Sequence, residues 1–353
     1  MRIVVNDIAA SEGGAMSVLK NFYQEIIDKD DENEWIFLLG DRYLKETRNI
    51  KVHVFPEIKK SWIKRLMFDL ISGKKIINEF CPDIYLSLQN TATLGVDCKQ
   101  FVFLHQVLPF QREQNFSFLK RDQRIYAVYQ KIIGKVIKLS IKNSKATVIV
   151  QTEWLRKMLI SIFPNNLIVV VPPTVSKVSS FLKEKNQDKD VNTNMFFYPA
   201  ANLIYKNHKA IFEAVDCLVA KGHTNFKVIL TISQPDTLPN NAGFYHFLGT
   251  IDKERVWNYY NNSTLLFPSY IESYGLPLKE ATQCGSIIFS ANTGVSKEIL
   301  NCYSKAFFFN PFDSNELADL MEMKLMNSLK FNKEIKETSD HVNSSISSLI
   351  LET

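Results

Sequence analysis

Within this 353-residue chain, the chemistry-bearing residues are most concentrated at 267–290, FPSYIESYGLPLKEATQCGSIIFS. An apolar run ending at Phe267 leads through Pro268 and Ser269 into a short loop that ends at Gly275. Pro277 then suits the first turn of a helix, where its missing N–H is not needed. Backbone amides around Gly275–Lys279 would face an anion, with Gly275 allowing close approach, and phosphate is the natural guest. Glu272 and Glu280 sit eight apart. On one continuous helix that is about 12 Å along the axis, wider than the roughly 5–9.5 Å of a glycosidase carboxylate pair, so they are not read as an acid/base pair. With Glu272 in the loop and Glu280 one turn into the helix, they can hold two parts of one extended ligand, such as the two sugars of a nucleotide sugar. Spacing alone equally allows one loop carboxylate and one solvated helix carboxylate.

Other chemistries find less support. The five cysteines, Cys81, Cys98, Cys217, Cys284 and Cys302, form no CxxC and do not cluster with the histidines, which disfavours a disulfide framework and a zinc site. The DxD at Asp188 to Asp190 lies in a polar stretch where a metal–diphosphate role is not expected, and no metal or cofactor is assigned. A GxGxxG dinucleotide fingerprint is absent.

The elements that must position these residues alternate. Short β-rich runs at 2–5, 35–39, 52–55, 83–88, 100–105, 147–151 and 168–173 are separated by helical stretches, the first of them beginning near Met16. A polar, aperiodic stretch follows, and a second alternating set begins at FFYPA (196–200). The reading is an α/β chain of two Rossmann-like domains facing across a cleft, each with a mostly parallel sheet. Its expected divisions are an N-terminal domain over 1–176, a linker over 177–194, a C-terminal domain over 195–330 and a tail over 331–353. No apolar run approaches the roughly 18–20 residues of a spanning helix, and residues 1–20 lack a signal-peptide layout, so a soluble intracellular chain is expected.

Charge is unevenly divided. The net +5 resolves into +6 over residues 1–150, with 23 Lys/Arg against 17 Asp/Glu, and −1 over 151–353, with 19 against 20. Residues 59–145 alone hold 16 basic and 6 acidic side chains, or +10, which points to an anionic partner. Two amphipathic segments carry that excess. In the first, 59–75, Trp62, Ile63, Leu66, Met67 and Leu70 share a helical face flanked by Lys59, Lys60, Lys64 and Arg65; the second, 116–142, includes Phe118, Leu119, Lys120, Arg121 and Ile125. Such helices can lie in an anionic bilayer interface; the alternative is that their apolar faces pack on the domain's own core.

The stretch PSYIESYGLPLKEA, with QCG and NTGVSKEIL after it, resembles the signature of retaining glycosyltransferases of family 4, which have the GT-B fold. The resemblance extends to AASEGGA (9–15), FLHQ (103–106), VIVQTEWLRKML (148–159) and YPAANLIYKNHKAI (198–211). It implies that Glu272 bonds the donor sugar, Glu280 the ribose hydroxyls, and amides of Gly275, Leu276 and Leu278 the diphosphate. Lys206 matches the lysine that neutralises the diphosphate, whose charge grows as the nucleotide leaves. Gly13 and Gly14 match a glycine loop near the donor phosphate, and His105 a histidine near the transferred sugar. One departure is plain: where the family usually carries an arginine about five residues before the lysine, Ala201 and Asn202 stand here. The tail, expected to return to the first domain, is weakly marked.

The reading is therefore a retaining glycosyltransferase that moves a sugar from a nucleotide diphosphate sugar to a saccharide or polyprenyl-linked saccharide acceptor in surface polysaccharide synthesis, peripheral on the inner face of the plasma membrane. Membrane contact is assigned to Trp62, Lys64, Arg65, Leu66, Lys120 and Arg121. The alternatives are a nucleotide-sugar epimerase on the same fold and a noncatalytic nucleotide-sugar-binding scaffold. A nucleic-acid partner is not expected, because no groove-reading motif accompanies the basic charge.

Overall fold

The computed structural model describes residues 1–10, 13–29, 32–175, 194–331 and 345–352. Most of the expected linker, with Asp188 and Asp190, lies outside them, as do Ser11 and Glu12. The chain divides into two compact units, one comprising Met1–Pro173 with His341–Thr353 and the other Thr174–Asp340.

Unit 1 is built on a seven-stranded sheet, β1 (Arg2–Asp7), β2 (Glu34–Leu39), β3 (Ile50–Val54), β4 (Ile84–Ser87), β5 (Lys99–Phe103), β6 (Thr147–Val150) and β7 (Ile168–Val170), in the order β3-β2-β1-β4-β5-β6-β7. Every pairing is parallel; Val4, for example, faces Ile36 on one side and Tyr85 on the other. Parallel strands are covered on both faces, which is why they read as continuous apolar runs rather than alternations. Helix α1 (Gly13–Lys29) lays Leu19, Phe22 and Ile26 on the sheet, with Phe22 edge-on to Trp35 at 5.8 Å between ring centres. It begins at Gly13, three residues before the expected start. The glycine pair thus forms the helix's first turn and not a free loop; the conformational cost of glycine is least where no amide is yet bonded within the helix.

A short C-terminal helix, Ile346–Leu351, packs on α1 within this unit. It is held by small polar groups instead of aromatic ones: the Lys29 ammonium donates to the Ser347 and Ser348 hydroxyls at 2.5 and 2.7 Å, and Glu25 accepts from the Ser347 amide at 3.1 Å. Ile350 is fully buried beneath.

The two basic segments depart from simple amphipathic helices. In each, the helix widens into a π turn: Trp62–Met67 runs through Phe68–Ser72 into Gly73–Glu79, and Arg124–Val128 runs through Tyr129–Ile133 into Gly134–Lys142. The extra residue rotates the face, so Phe68, Asp69, Gly73 and Ile77 turn inward while Trp62, Ile63 and Met67 stay exposed. Gly73 is required there, since a Cβ would come 2.6 Å from the Phe68 carbonyl oxygen. Of the expected membrane contacts, Trp62, Lys64, Lys120 and Arg121 are exposed, but Arg65 and Leu66 are half-buried and line a cavity. Leu66 lies in the same α-helical stretch as Trp62 and Ile63, ahead of the π turn, and is half-buried at the cavity that Trp62 also lines.

Unit 2 carries a six-stranded parallel sheet, β8 (Met195–Tyr198), β9 (Lys227–Leu230), β10 (Tyr245–Phe247), β11 (Thr264–Phe267), β12 (Ile288–Ala291) and β13 (Ala306–Phe309), in the order β10-β9-β8-β11-β12-β13. Edge strand β13 was not anticipated: its four residues, AFFF, leave Phe308 exposed and show neither alternation nor length. Phe196, Phe197 and Tyr198 fill the middle of the core, Phe197 stacked on Tyr259 at 4.8 Å. No described helix is long and apolar enough to cross a membrane.

Each sheet reverses its strand order once, at β1/β4 in unit 1 and at β8/β11 in unit 2. Beyond the carboxyl ends of strands at such a switch point, the connections leave in opposite directions and open a crevice for ligands.

Candidate functional site

At the switch point of unit 2, the loop after β8 meets the loop after β11. The first ends in a 3₁₀ turn, Ile204–Lys206, fixed on all sides. The Tyr198 hydroxyl donates to the Lys206 carbonyl at 2.9 Å, and the Tyr205 carbonyl accepts from the Tyr270 amide at 3.1 Å and from the Ser269 hydroxyl at 3.2 Å. Asn207, left-handed at φ 58°, spends its side-chain amide on the carbonyls of Pro268 (3.3 Å) and Pro311 (2.7 Å). So anchored, Lys206 places its Nζ 2.5 Å from Glu272 Oε1, with the two side chains only 20% and 13% exposed. The expected pair of donor-site residues thus meets as an ion pair across 66 residues of sequence.

The turn after Glu272 matches expectation in shape but not in every amide. Gly275 is left-handed, φ 79°, and caps the eight-residue helix Leu276–Gln283. A Cβ there would press within 3.3 Å of both Leu278 and Phe267. The Leu278 amide, expected to face the diphosphate, already donates to the Gly275 carbonyl at 2.9 Å, and the Leu278 side chain is fully buried. Pro277 has no N–H, so the free donors of this turn are the amides of Gly275 and Leu276. Glu280, farther along the helix, forms a separate cluster: Tyr260 donates to its Oε2 at 3.1 Å and Lys253 Nζ lies 3.7 Å from its Oε1. Burial pushes the Glu280 carboxyl pKa up, opposed by Lys253 and the Tyr260 bond. Glu272 and Glu280 therefore have different partners.

Ala201 and Asn202 are exposed and offer no cation. His208, in contrast, is a group the motif did not single out. It opens the helix His208–Ala220 beside Lys206, its ring 5.0 Å from Tyr198. Both ring nitrogens are buried without a hydrogen-bond partner among the described residues, and burial, with the Lys206 charge adding to it, pushes the imidazole down to about 4. It is neutral at pH 7.

At the switch point of unit 1 lies a cavity of about 200 Å³, with Asp7, Arg65, Asp69, Gln89, His105 and Tyr129 in its wall. Both π turns contribute to it, through Asp69 and through Tyr129 and Ile133. Asp69 accepts from Gln89 Nε2 (3.2 Å), the Thr91 hydroxyl (2.6 Å) and the Thr93 hydroxyl (3.2 Å). Burial nevertheless pushes Asp69 up to about 7, and Asp7, at the end of β1, to about 7 as well. His105 follows β5; Asn90, left-handed at φ 70°, accepts the amides of His105 and Gln106 in its side-chain oxygen, each at 2.8 Å. Burial pushes His105 down to about 4. Asp7 Oδ2, Arg65 Nε and His105 Nδ1 are buried without partners among the described residues, so the cavity presents an acceptor, a cationic donor and a neutral imidazole. Neither carboxylate was singled out by sequence. Asp7 hides in the first strand and Asp69 in an apolar helical face, and only the strand end at Asp7 carried a readable signal. Gly13 and Gly14 open α1 after this strand, with open space among the described residues where a Gly14 Cβ would project.

Residues 179–341 match the family described as Glycosyl transferases group 1. No curated protein matches the chain in sequence. Among solved structures, the sucrose-phosphate synthase of Thermosynechococcus elongatus aligns with a TM-score of 0.66 at 14% identity, covering 93% of this chain and 90% of that one. HepE of Anabaena, in complex with UDP-glucose, gives 0.62 at 16% identity with the same coverage. WaaG, a glycosyltransferase involved in lipopolysaccharide biosynthesis, gives 0.60 at 13% identity over 92% of this chain and 90% of that one. Residues 179–341 thus resemble glycosyl transferases group 1, and the chain has the two parallel-sheet α/β units of the GT-B glycosyltransferase fold.

Proposed function

We propose that this chain is a retaining glycosyltransferase that takes a nucleotide diphosphate sugar in unit 2 and a saccharide acceptor in unit 1. The observation that carries the reading is the Lys206–Glu272 ion pair beside the Gly275 turn, at the switch point of the unit that resembles glycosyl transferases group 1. A donor entering there exchanges one ion pair for two sets of contacts. The diphosphate takes the Lys206 ammonium and the amides of Gly275 and Leu276; the donor sugar's hydroxyls take Glu272. Glu280 holds the ribose hydroxyls with Tyr260 and Lys253 behind it. As the anomeric C–O bond to phosphate breaks, its electron pair passes to the diphosphate, where fixed positive charge counts most. The acceptor hydroxyl bonds to the same face of the anomeric carbon and gives its proton to the departing phosphate oxygen, which accounts for retention. His105 stays neutral above its depressed pKa and donates or accepts one hydrogen bond at a saccharide hydroxyl in the cavity of unit 1. Lys206 and the amides bear the leaving group's charge, and the reading assigns no metal.

The acceptor is a saccharide whose hydroxyls suit Asp7, Gln89 and His105 in the cavity of unit 1, with Trp62 and Tyr129 as aromatic walls. A lipid-linked saccharide at the membrane surface is favoured by the exposed apolar residues beside that cavity: Trp62, Ile63 and Met67 on one segment, and Phe118, Leu119 and Ile125 on the other, among exposed lysines and arginines. Leu119 is 90% exposed, an unusual cost for leucine in water. The role follows as surface polysaccharide synthesis.

Nucleotide release from UDP-, GDP- and dTDP-sugars, with and without saccharide acceptors and lipid extracts, tests the function. Acceptor-dependent release with an axial-to-axial or equatorial-to-equatorial product, read by NMR, is expected. An epimeric nucleotide sugar without transfer would replace the proposal with the epimerase, and donor binding without any turnover would replace it with the scaffold.

A further inference from the structure

Unit 2 holds a second cavity, at the amino ends of its strands and so at the opposite end of the sheet from Lys206 and Glu272. It measures about 260 Å³ and lies where β11, β12 and β13 begin, among Asn261, Ser263, Gly285, Ser286, Lys305 and Lys324. Two amines and several hydroxyl and amide groups line it, and among the described residues no carboxylate does. Lys324, on the helix Ser314–Leu325, is only 8% exposed and has no ion-pair partner among the described residues. Burial pushes its ammonium pKa down, and no neighbouring charge opposes the shift. A lysine buried without an acid is costly unless an anion completes it. Lys305 Nζ donates to the Gly285 carbonyl at 3.0 Å, which keeps the second ammonium at the rim. Asn261 Oδ1 is buried and accepts from nothing. A ligand suited to these groups supplies negative charge to Lys324 and Lys305 and a hydrogen-bond donor to Asn261.

We propose that this cavity is an anion site for a phosphate monoester or hydrogen phosphate, separate from the diphosphate site at Lys206. Such a group meets both demands, since its oxygens face the ammonium groups and a P–OH or sugar hydroxyl reaches Asn261. The volume lies just below the roughly 300–1,000 Å³ of sites for drug-sized ligands, which selects inorganic phosphate or a sugar monophosphate over a nucleotide. Tyr260 borders both places: it lines this cavity and its hydroxyl donates to Glu280.

Titration calorimetry on the whole chain tests the site with inorganic phosphate and with glucose 6-phosphate, against chloride at equal ionic strength. One equivalent should bind to wild type and to Lys206→Ala, with affinity at least about tenfold weaker in Lys324→Met, the loss typical of a charged hydrogen bond. Lys324→Gln, which keeps a polar group, guards against a packing artefact and should be weakened as well. Tighter binding of glucose 6-phosphate identifies an ester as the occupant, and equal binding identifies the free ion; either supports the site. Binding no stronger than chloride, wild-type affinity in both Lys324 variants, or loss of binding in Lys206→Ala would each overturn it, the last by assigning the phosphate to the donor site.

Discussion

Replacing Lys206 by alanine separates the catalytic reading from a structural one. Two consequences have different sizes. In the ligand-free protein the change strands Glu272, whose carboxylate is 13% exposed and loses a 2.5 Å partner. Breaking a fully buried pair costs about 3–5 kcal/mol; with both groups partly in water, ~2 kcal/mol is the reasonable scale, a fall of about 4–8 °C in the melting temperature of a domain this size. In the reaction, the change removes a charge held against the leaving diphosphate, and losing one such group typically lowers kcat about 10²–10³-fold. Doubly substituted Lys206→Met with Glu272→Leu should recover most of the stability, because an apolar pair of similar volume leaves no orphaned charge, yet should not recover turnover. The assays are nucleotide release at saturating donor and thermal unfolding on the same preparations. A single variant that melts several degrees lower but turns over within threefold of wild type would refute the mechanism and leave the pair as a structural staple.

Other expectations follow from the same geometry. Asp7, with a folded pKa raised to about 7 from 3.8, adds stability that is fully present below pH 4 and lost as pH rises through 7; Asp7→Asn should remove that part of the pH dependence, and an unchanged thermal profile between pH 4 and 8 would contradict it. Gly275→Ala must hold a left-handed backbone with a Cβ 3.3 Å from Leu278 and Phe267, so it should cost about 1–2 kcal/mol and weaken nucleotide binding together; calorimetry with UDP checks both. Flotation with anionic liposomes should recover wild type but not a variant with Trp62, Ile63 and Lys64 replaced, and equal recovery would count against this surface. Turnover should survive EDTA, and loss restored by a divalent cation would show that Lys206 and the amides do not suffice.

The donor motif was legible because its residues lie close in sequence and each has a local reason. Pro277 marks a helix start, Gly275 a left-handed turn, and the apolar run before them a buried strand. The alternation of strands and helices was legible for the same reason, since parallel strands buried on both faces cannot avoid continuous apolar runs. The Leu278 amide was misassigned because whether an N–H is free depends on the dihedral angles at Gly275, which composition does not specify. Strand β13 was missed because four residues at a sheet edge carry almost no pattern. Arg65 and Leu66 are half-buried because they line the cavity of unit 1 with Asp69 and Tyr129 from the two π turns, and nothing in FDLIS announces such a turn.

The sequence by itself determined the two-unit α/β architecture and the turn at Gly275, and a family resemblance singled out Lys206, Glu272 and Glu280, because each rests on short-range periodicity or on a motif within a few turns of chain. Only the tertiary structure decided which groups meet. It paired Lys206 with Glu272, gave Glu280 to Tyr260 and Lys253, and set Asp7, Asp69 and His105 around one cavity. Those contacts join residues 20 to 98 positions apart, brought together by the strand order of each sheet, and strand order is a long-range choice that no local pattern encodes.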